Sequence, residues 1–163
     1  MPIEFHDYSV QVSAKMKEAA KRFLIEAAHE VTSQTIHTTP PKKQQLRGSW
    51  GNSIDESAMT AQIGSPLEES FWNEFGTGSH AIHGDGRKGW WVYIEGQPRG
   101  EKNSRVYDSQ QEAEEAVAYL RSKGLPAVAT NGEDAHLTLQ KAFAAKRNTI
   151  VRMAETILGE EMT

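Results

Sequence analysis

The chain has 163 residues, of which 37% are hydrophobic, and this is enough to build one hydrophobic core of ordinary size. Lys and Arg number 18 against 22 for Asp and Glu, and the formal net charge of -4 disfavours strong electrostatic binding of nucleic acid, because phosphate binding requires a basic surface. The absence of cysteine excludes disulfides, thiolate metal sites and cysteine nucleophiles. No apolar run approaches the roughly 18 residues that cross a bilayer, and residues 1–12 do not resemble a signal peptide, so we expect a soluble protein.

The first part of the chain predicts a long amphipathic helix. Apolar residues recur every three or four positions while charged residues fill the other side, and this period predicts a helix over residues 13–36. The Pro40-Pro41 pair ends the pattern because proline cannot continue a helix. Residues 40–48 are then expected to form a polar linker.

Two short strands and an aromatic segment are expected to follow the linker. Residues 49–54 and 59–63 flank a turn-forming Asp-Glu-Ser cluster, and this arrangement predicts a β-hairpin. Residues 65–75 are rich in aromatic side chains and can pack. Residues 76–89 contain five glycines, and we expect them to form a mobile, glycine-rich arm.

The second half of the chain predicts paired strands and two more helices. Residues 90–94 favour a strand, with residues 104–107 as its partner. Ser109 followed three residues later by Glu112 is typical of a helix N-cap, and Gly124 is typical of a C-cap. These two signals predict a helix between them. The remaining predicted elements are a strand over residues 125–130, an Asn131-Gly132 turn and an amphipathic C-terminal helix over residues 134–160.

These elements predict a single α+β domain over residues 1–163. A small antiparallel sheet is packed by the long N-terminal and C-terminal helices, and residues 101–128 form an inserted helix-strand unit. The helix of this insertion has only a narrow apolar stripe, so we expect it to lie on the sheet of residues 90–94 and 104–107 with its other side exposed. We expect removal of the insertion to cost only modest stability.

A cluster of potential metal ligands lies in the glycine-rich arm. Two imidazoles three residues apart and a nearby carboxylate, His80, His83 and Asp85, can converge on one ion. The surrounding glycines argue against a rigid metal site, since a catalytic metal needs fixed ligands and supporting partners. Motifs for a zincin helix, a nucleophile elbow and a phosphate loop are missing from the sequence. A metal-dependent enzyme that uses these three residues is an alternative to the preferred interpretation.

A second alternative is a DNA-binding accessory protein. Its basic residues would be Lys42, Lys43, Arg47, Arg87 and Lys88, although such patches are more often solvated surface. The tryptophans nearby have two interpretations as well, because aromatic side chains are enriched both in cores and at protein interfaces.

Four segments of the chain, taken in order, resemble one known family. They are Gln45-Leu46-Arg47-Gly48-Ser49-Trp50, Phe71-Trp72-Asn73-Glu74-Phe75-Gly76-Thr77-Gly78, Gly86-Arg87-Lys88-Gly89-Trp90-Trp91-Val92-Tyr93, and Thr130-Asn131-Gly132 ahead of the last helix. In these segments the chain resembles the HK97 gp10-like proteins of tailed bacteriophages, which are tail completion or minor structural proteins of the head-to-tail joint. The most specific piece is Glu74-Phe75-Gly76-Thr77. The sequence departs from the family where Gln44-Gln45 stands in place of Thr-Gly and where His136-Leu137 stands in place of Pro-Phe.

The resemblance implies a structural role, with no catalysis and no cofactor. It implies a ring subunit at the neck of the virion, in six copies by the general symmetry of phage tails, which assembles in the host cytoplasm. The implied partners are other copies of the chain and the head-closure (stopper), tail-terminator or tail-tube proteins. DNA would pass nearby without specific binding, and no membrane would be involved.

We expect the assembly interface to lie in and beside the glycine-rich arm. Glu74 is also expected to pair with Arg47, because a carboxylate in a packed segment needs backbone donors or a cation. The residues expected at the interface are Trp72, Glu74, Phe75, Gly76, Thr77, Gly78, His80, His83, Arg87, Trp90 and Trp91.

Overall fold

The computed structural model describes residues 9–96 and 105–160, and it shows an α+β protein that divides into two compact units. The first unit contains the described residues up to Leu67 together with those from Thr138 onwards, and the second contains residues 68–137. The helices and strands in chain order are α1 (Ser9–Thr38), α2 (Gln44–Ser49), β1 (Gly51–Asp55), β2 (Thr60–Gly64), α3 (Glu68–Phe75), β3 (Trp90–Ile94), β4 (Val106–Tyr107), α4 (Gln110–Ser122), β5 (Ala127–Thr130) and α5 (Thr138–Glu160). Long helices towards both ends of the chain and small antiparallel sheets confirm the predicted fold class. The single domain over residues 1–163 stays a prediction.

α1 and α5 form an antiparallel pair in the first unit. Lys146 on α5 lies 2.6 Å from Glu30 on α1, whereas Glu160 at the end of α5 lies 2.8 Å from Arg22, nearer the start of α1. Most of the buried side chains of the pair are small, which favours close approach of two helices. The buried residues of the two helices are Ala19, Ala28, Val31, Thr32, Thr35, Thr138, Ala142 and Ile157.

α1 extends past both of its predicted ends. It spans Ser9–Thr38 rather than residues 13–36, because neither glycine nor proline interrupts this stretch before Pro40. Threonine hydroxyls near its C-terminal end donate to carbonyl oxygens one turn earlier, and the bond from Thr39 Oγ1 to the carbonyl of Thr35 measures 2.8 Å.

The polar linker predicted over residues 40–48 is wrong in its second half, which forms the short helix α2. The N–H of Arg47 donates to the carbonyl of Lys43 at 2.9 Å, and the side chain of Leu46 is fully buried. The burial of Leu46 explains the helix, since removing this apolar side chain from water stabilises the fold by about 2 kcal/mol. A single apolar residue in a polar segment carries no periodicity from which the helix could be predicted.

α5 begins at Thr138, later than the predicted residue 134. The backbone just before it bonds elsewhere, because the N–H of His136 donates to the carbonyl of Asn73 at 2.8 Å. Leu137 has a φ of 51°, and this left-handed conformation interrupts a right-handed helix.

The predicted hairpin is confirmed. β1 and β2 pair antiparallel in a register that sets Gly51 opposite Gly64. The hairpin lies against α1, where Asn52 Nδ2 donates to Thr32 Oγ1 at 3.0 Å. A side-chain hydrogen bond therefore supports the position of the hairpin on the helix.

The turn of the hairpin is held by Asp55. Its Oδ1 accepts from the hydroxyl of Ser57 at 2.6 Å, and from the backbone N–H groups of Ser57 and Ala58 at 2.9 and 3.0 Å. These hydrogen bonds, the Ser57 hydroxyl first, stabilise the carboxylate and lower the pKa of Asp55. Beside it, Glu56 lies 3.0 Å from Lys21, and this hydrogen bond and its negative charge raise the pKa of Lys21.

The second unit contains a three-stranded antiparallel sheet in the order β4-β3-β5. Trp91 of β3 lies opposite Val106 of β4 on one side and opposite Thr130 of β5 on the other. α4 packs on this sheet and buries Ala113 and Val117. The predicted strand over residues 90–94 is therefore confirmed as the centre of the sheet.

The insertion predicted over residues 101–128 is part of the sheet of the second unit. It supplies β4, α4 and the start of β5, while residues 101–104 lie outside the described residues. Its N-cap is confirmed, because Ser109 Oγ accepts from the N–H of Glu112 at 3.3 Å. β4 lies within the predicted partner strand over residues 104–107 and pairs with β3 as expected, whereas the pairing of β5 with β3 was not predicted. That the insertion can be removed at modest cost in stability stays a prediction.

No helix within the described ranges is both long and apolar enough to cross a membrane.

Candidate functional site

The glycine-rich segment of the resemblance packs against the turn that follows β5. We refer to residues 76–80 and 131–134 together as the glycine junction. The N–H of Thr77 donates to the carbonyl of Glu133 at 2.9 Å, and the N–H of Glu133 donates to Thr77 Oγ1, also at 2.9 Å. This reciprocal pair of bonds fixes the two segments side by side.

Two glycines of the junction allow its backbones to approach this closely. Gly78 has a φ of 60°, and a Cβ there would clash with the carbonyl oxygen of Asn131. Gly132 has a φ of 135°, and a Cβ there would clash with the carbonyl oxygen of Thr77. Glycine is needed at both positions because any side chain would meet backbone atoms, which cannot move aside as a flexible side chain can. Close to these contacts, the N–H of Ser79 donates to the carbonyl of Asn131 at 2.8 Å.

His80 lies at the exposed edge of the glycine junction, between two oxygen atoms. Its Nδ1 is 2.5 Å from Asp134 Oδ1, and its Nε2 is 3.2 Å from Asn131 Oδ1. Both ring nitrogens are therefore engaged within the junction. Asp134 was not predicted as a site residue, because its position two residues after Gly132 places it beside His80 only when the junction is folded.

The three predicted metal ligands have different surroundings. His80 contacts Asp134, whereas the ring of His83 lies 5.2 Å, centroid to centroid, from the ring of Phe75. In the part of the chain that the structure describes, no three His, Asp or Glu side chains, those of His80, His83 and Asp85 included, form a group that could hold a metal ion.

The remainder of the predicted arm folds back on neighbouring residues. The N–H of Ile82 donates to the carbonyl of Phe75 at 3.0 Å. The guanidinium of Arg87 lies over the ring of Trp91, 5.2 Å from its centroid, which is within the range of a cation–π interaction. The segment expected to form a mobile arm thus has packing and hydrogen-bond contacts within the second unit, and its mobility stays a prediction.

The residues predicted at the assembly interface fall into three groups by exposure. Glu74, Gly76 and Gly78 are buried within the chain. His80 and His83 are exposed, and the half-buried members are Trp72, Phe75, Thr77, Arg87, Trp90 and Trp91. The part that these residues take in assembly stays a prediction.

The predicted pair of Arg47 and Glu74 involves residues of different units. Arg47 on α2 belongs to the first unit, where its Nε donates to the carbonyl of Ile36 at 3.2 Å. Glu74 on α3 belongs to the second unit. Their pairing stays a prediction.

The basic residues of the DNA-binding alternative are likewise divided between the units. Lys42, Lys43 and Arg47 belong to the first, whereas Arg87 and Lys88 belong to the second. Lys88 Nζ donates to the carbonyl of Gly84 at 3.0 Å, and Arg87 lies over Trp91 as described above. Both side chains in the second unit therefore have contacts within that unit.

Comparisons with protein-family models, with curated proteins and with solved structures found no match. The glycine junction and the sequence resemblance are therefore the observations on which a functional proposal rests.

Proposed function

We propose that this chain is a structural subunit of the neck of a tailed bacteriophage, a tail completion or head-to-tail joining protein that acts by assembly and carries out no catalysis. The observation that supports this proposal most is which segments of the chain meet in the glycine junction. It joins two segments of the resemblance, at Thr77 and at Glu133 next to Thr130-Asn131-Gly132, which are 56 positions apart in the sequence. A pattern whose separated parts pack together is typical of a shared structural element, and this fits a family of structural proteins.

The chemistry of the junction also fits a structural role. Its contacts are made largely by backbone groups, and the absence of side chains at Gly78 and Gly132 leaves room for these contacts. Both nitrogens of the His80 ring contact oxygen atoms of the junction, one of Asp134 and one of Asn131. Such an arrangement fixes the path of the chain and presents no nucleophile next to a free general base.

The charge of the chain suits a position beside a DNA channel. A protein that neutralises phosphates binds DNA by releasing counterions, and such binding would hold DNA that has to pass. The formal net charge of -4 disfavours this binding. The proposed partners are other copies of the chain in a ring of six and the stopper, tail-terminator or tail-tube proteins at the neck of the virion.

A nonsense mutation in the gene, made in the phage or prophage that encodes it, tests the proposal. We expect DNA-filled heads and separate tails to accumulate, with loss of infectious particles, because the joint between them is incomplete. A wild-type copy supplied from a plasmid should restore joined particles, and so should the control Lys141→Arg, which keeps the charge of an exposed residue on α5. Mass spectrometry of purified particles should detect the chain, and electron microscopy should place it at the neck.

Joined, infectious particles that form without the chain would contradict the proposal. Stoichiometric metal in the purified protein together with a metal-dependent activity would favour the enzyme alternative. Salt-dependent binding in a DNA titration would favour the DNA-binding alternative.

A further inference from the structure

The turn after β5 places an asparagine directly before a glycine, at Asn131-Gly132. Asparagine is a chemically labile residue, and a following glycine has no Cβ to hinder attack of its backbone nitrogen on the asparagine side chain. As a turn signal the pair predicts only the shape of the chain. Its chemistry makes Asn131 a candidate site of covalent modification.

The modification is deamidation through a cyclic imide. The backbone nitrogen of Gly132 attacks the side-chain carbonyl carbon of Asn131 and forms a C–N bond. The bond from that carbon to the side-chain nitrogen breaks, and ammonia leaves with the proton that the backbone nitrogen has lost. Water then opens the imide at either carbonyl. One opening gives aspartate, and the other gives isoaspartate, in which the main chain runs through the former side chain.

The peptide group between Asn131 and Gly132 is held at both ends. Its carbonyl oxygen accepts from the N–H of Ser79 at 2.8 Å and from Ser79 Oγ at 3.1 Å. Its N–H donates to Thr130 Oγ1 at 3.1 Å. The attack requires the nitrogen of this group to lose its proton and to approach the side-chain carbon. Because that movement breaks hydrogen bonds at both ends, the closed glycine junction opposes the reaction.

The side chain that would be attacked is held as well. Asn131 Oδ1 lies 3.2 Å from His80 Nε2, and His80 is itself in contact with Asp134. Both Asn131 and Gly132 are half-buried. The two reacting groups are therefore fixed by residues on either side of the junction.

The isoaspartate product does not fit the closed junction. It adds a methylene group to the main chain immediately before Gly132. A Cβ added to Gly132 would already clash with the carbonyl oxygen of Thr77, and one added to Gly78 would clash with the carbonyl oxygen of Asn131. These contacts are between backbone atoms, so no flexible side chain can move aside to make room for a longer chain.

We propose that Asn131 is a deamidation site controlled by the glycine junction. Asn131 is protected while the junction is closed and reacts when the junction opens locally, and its isoaspartate product prevents the junction from closing again. A group that reacts only in an open state is modified in proportion to the time that the state is populated. All of these contacts lie within the second unit, so the inference does not depend on the proposed function.

The protection is tested by following deamidation of the purified full chain in mildly alkaline buffer. Mass spectrometry of its peptides measures the modified fraction at Asn131 over time. We expect the folded chain to react at least about tenfold more slowly than the same chain in guanidinium chloride. Thr130→Val removes the acceptor of the Gly132 N–H and should raise the rate in the folded chain at least about threefold.

Two further variants complete this test. Thr156→Val is the matched control, because its exposed hydroxyl bonds within α5, and it should deamidate at the wild-type rate. His80→Ala releases the side chain of Asn131 and should also raise the rate. It carries the test alone if circular dichroism shows that Thr130→Val has lost helical content.

The fate of the product is tested by hydrogen exchange. Anion exchange separates the deamidated chains by their added negative charge, and digestion gives their isoaspartate content. Asn131→Asp is the control, because it has the same charge and an ordinary main chain. We expect the N–H groups of Thr77 and Ser79 to exchange at least about tenfold faster in the isoaspartate chains than in this variant.

Three results overturn the inference. The first is an equal rate of deamidation at Asn131 in the folded and unfolded chain. The second is a folded rate that neither Thr130→Val nor His80→Ala changes. The third is equal hydrogen exchange in the isoaspartate chains and in Asn131→Asp, which would show that the longer main chain leaves the junction closed.

Discussion

The indole Nε1 of Trp50 donates a hydrogen bond of 2.9 Å to Oγ1 of Thr39, and both side chains are buried. The same hydroxyl donates its own proton to the carbonyl of Thr35 at 2.8 Å. One threonine therefore connects the base of the hairpin to the end of α1. The two buried donors, the indole N–H of Trp50 and the hydroxyl of Thr39, both have acceptors. A satisfied buried network of this kind fixes one arrangement of the two elements.

Thr39→Val is expected to destabilise the first unit by about 1–3 kcal/mol, because it keeps the shape of the side chain but leaves the indole N–H of Trp50 buried without an acceptor. Urea denaturation followed by circular dichroism measures this loss. The control Thr38→Val removes a half-buried hydroxyl that bonds within its own helix, to Gln34, and should change the free energy of unfolding by about 0.5 kcal/mol or less. Equal losses in the two variants would show that the bond to Trp50 contributes nothing specific.

Gly78→Ala and Gly132→Ala are each expected to cost about 3 kcal/mol or more, since the new Cβ strains the backbone and also meets a carbonyl oxygen. Gly84→Ala is the matched control, because Gly84 has a comparable φ of 72° but open space around the site. It should cost only the strain of the left-handed conformation, about 1 kcal/mol. The fluorescence of Trp72, Trp90 and Trp91 reports on the second unit during denaturation. Three equal losses would mean that the close approach in the glycine junction is not important for stability.

The stability of the hairpin turn is expected to fall in acid through Asp55. Its pKa is lowered in the folded protein by the Ser57 hydroxyl and by the N–H groups of Ala58 and Ser57, so the unfolded chain takes up the proton first as the pH falls. The contribution is present above the ordinary aspartate pKa and is lost as the pH falls below about 4 through the folded value. Asp55→Asn should flatten this part of the stability profile, measured by thermal unfolding across pH.

Asp85→Asn is the control for the acid profile. Asp85 is exposed and makes no hydrogen bond or ion pair with other described residues. The profile of this variant should run parallel to that of the wild type. An Asp55→Asn profile that also runs parallel would contradict the role of the turn.

Ala113→Leu tests the packing of α4 on the sheet. Ala113 is fully buried, so a larger side chain should overpack the interface and cost about 1–3 kcal/mol. Ala118→Leu changes an exposed position on the same helix and should stay within about 0.5 kcal/mol of the wild type. If both variants are equally stable in urea, α4 does not pack on the sheet as the structure has it.

Local patterns account for the elements that were predicted well. The period of α1, the Asp-Glu-Ser turn of the hairpin and the Ser109 cap of α4 each depend on residues within a few positions of one another. Such signals act in the unfolded chain as well as in the folded one, so the sequence shows them directly. α2 has no comparable signal, because it forms where Leu46 finds a buried site.

The candidate site was predictable only in part. The motif Glu74-Phe75-Gly76-Thr77 was identified as a segment of interest, but the contact of Thr77 with Glu133 was not predicted. Neither the contact of His80 with Asp134 nor the need for glycine at position 132 can be derived from local spacing. Both depend on residues more than fifty positions away in the sequence, as the contact of His80 with Asn131 illustrates with a separation of 51.

The sequence by itself determined the composition class, the two long helices, the hairpin and the capped helix α4, because hydrophobic period, turn residues and capping side chains act over short distances. Only the tertiary structure decided that β5 pairs with β3, that the glycine-rich segment is packed, and that α5 begins at Thr138. Each of these outcomes depends on which distant backbone groups satisfy one another's hydrogen bonds. Buried N–H and C=O groups must be paired in the folded state, but the sequence does not specify their partners until the chain has folded.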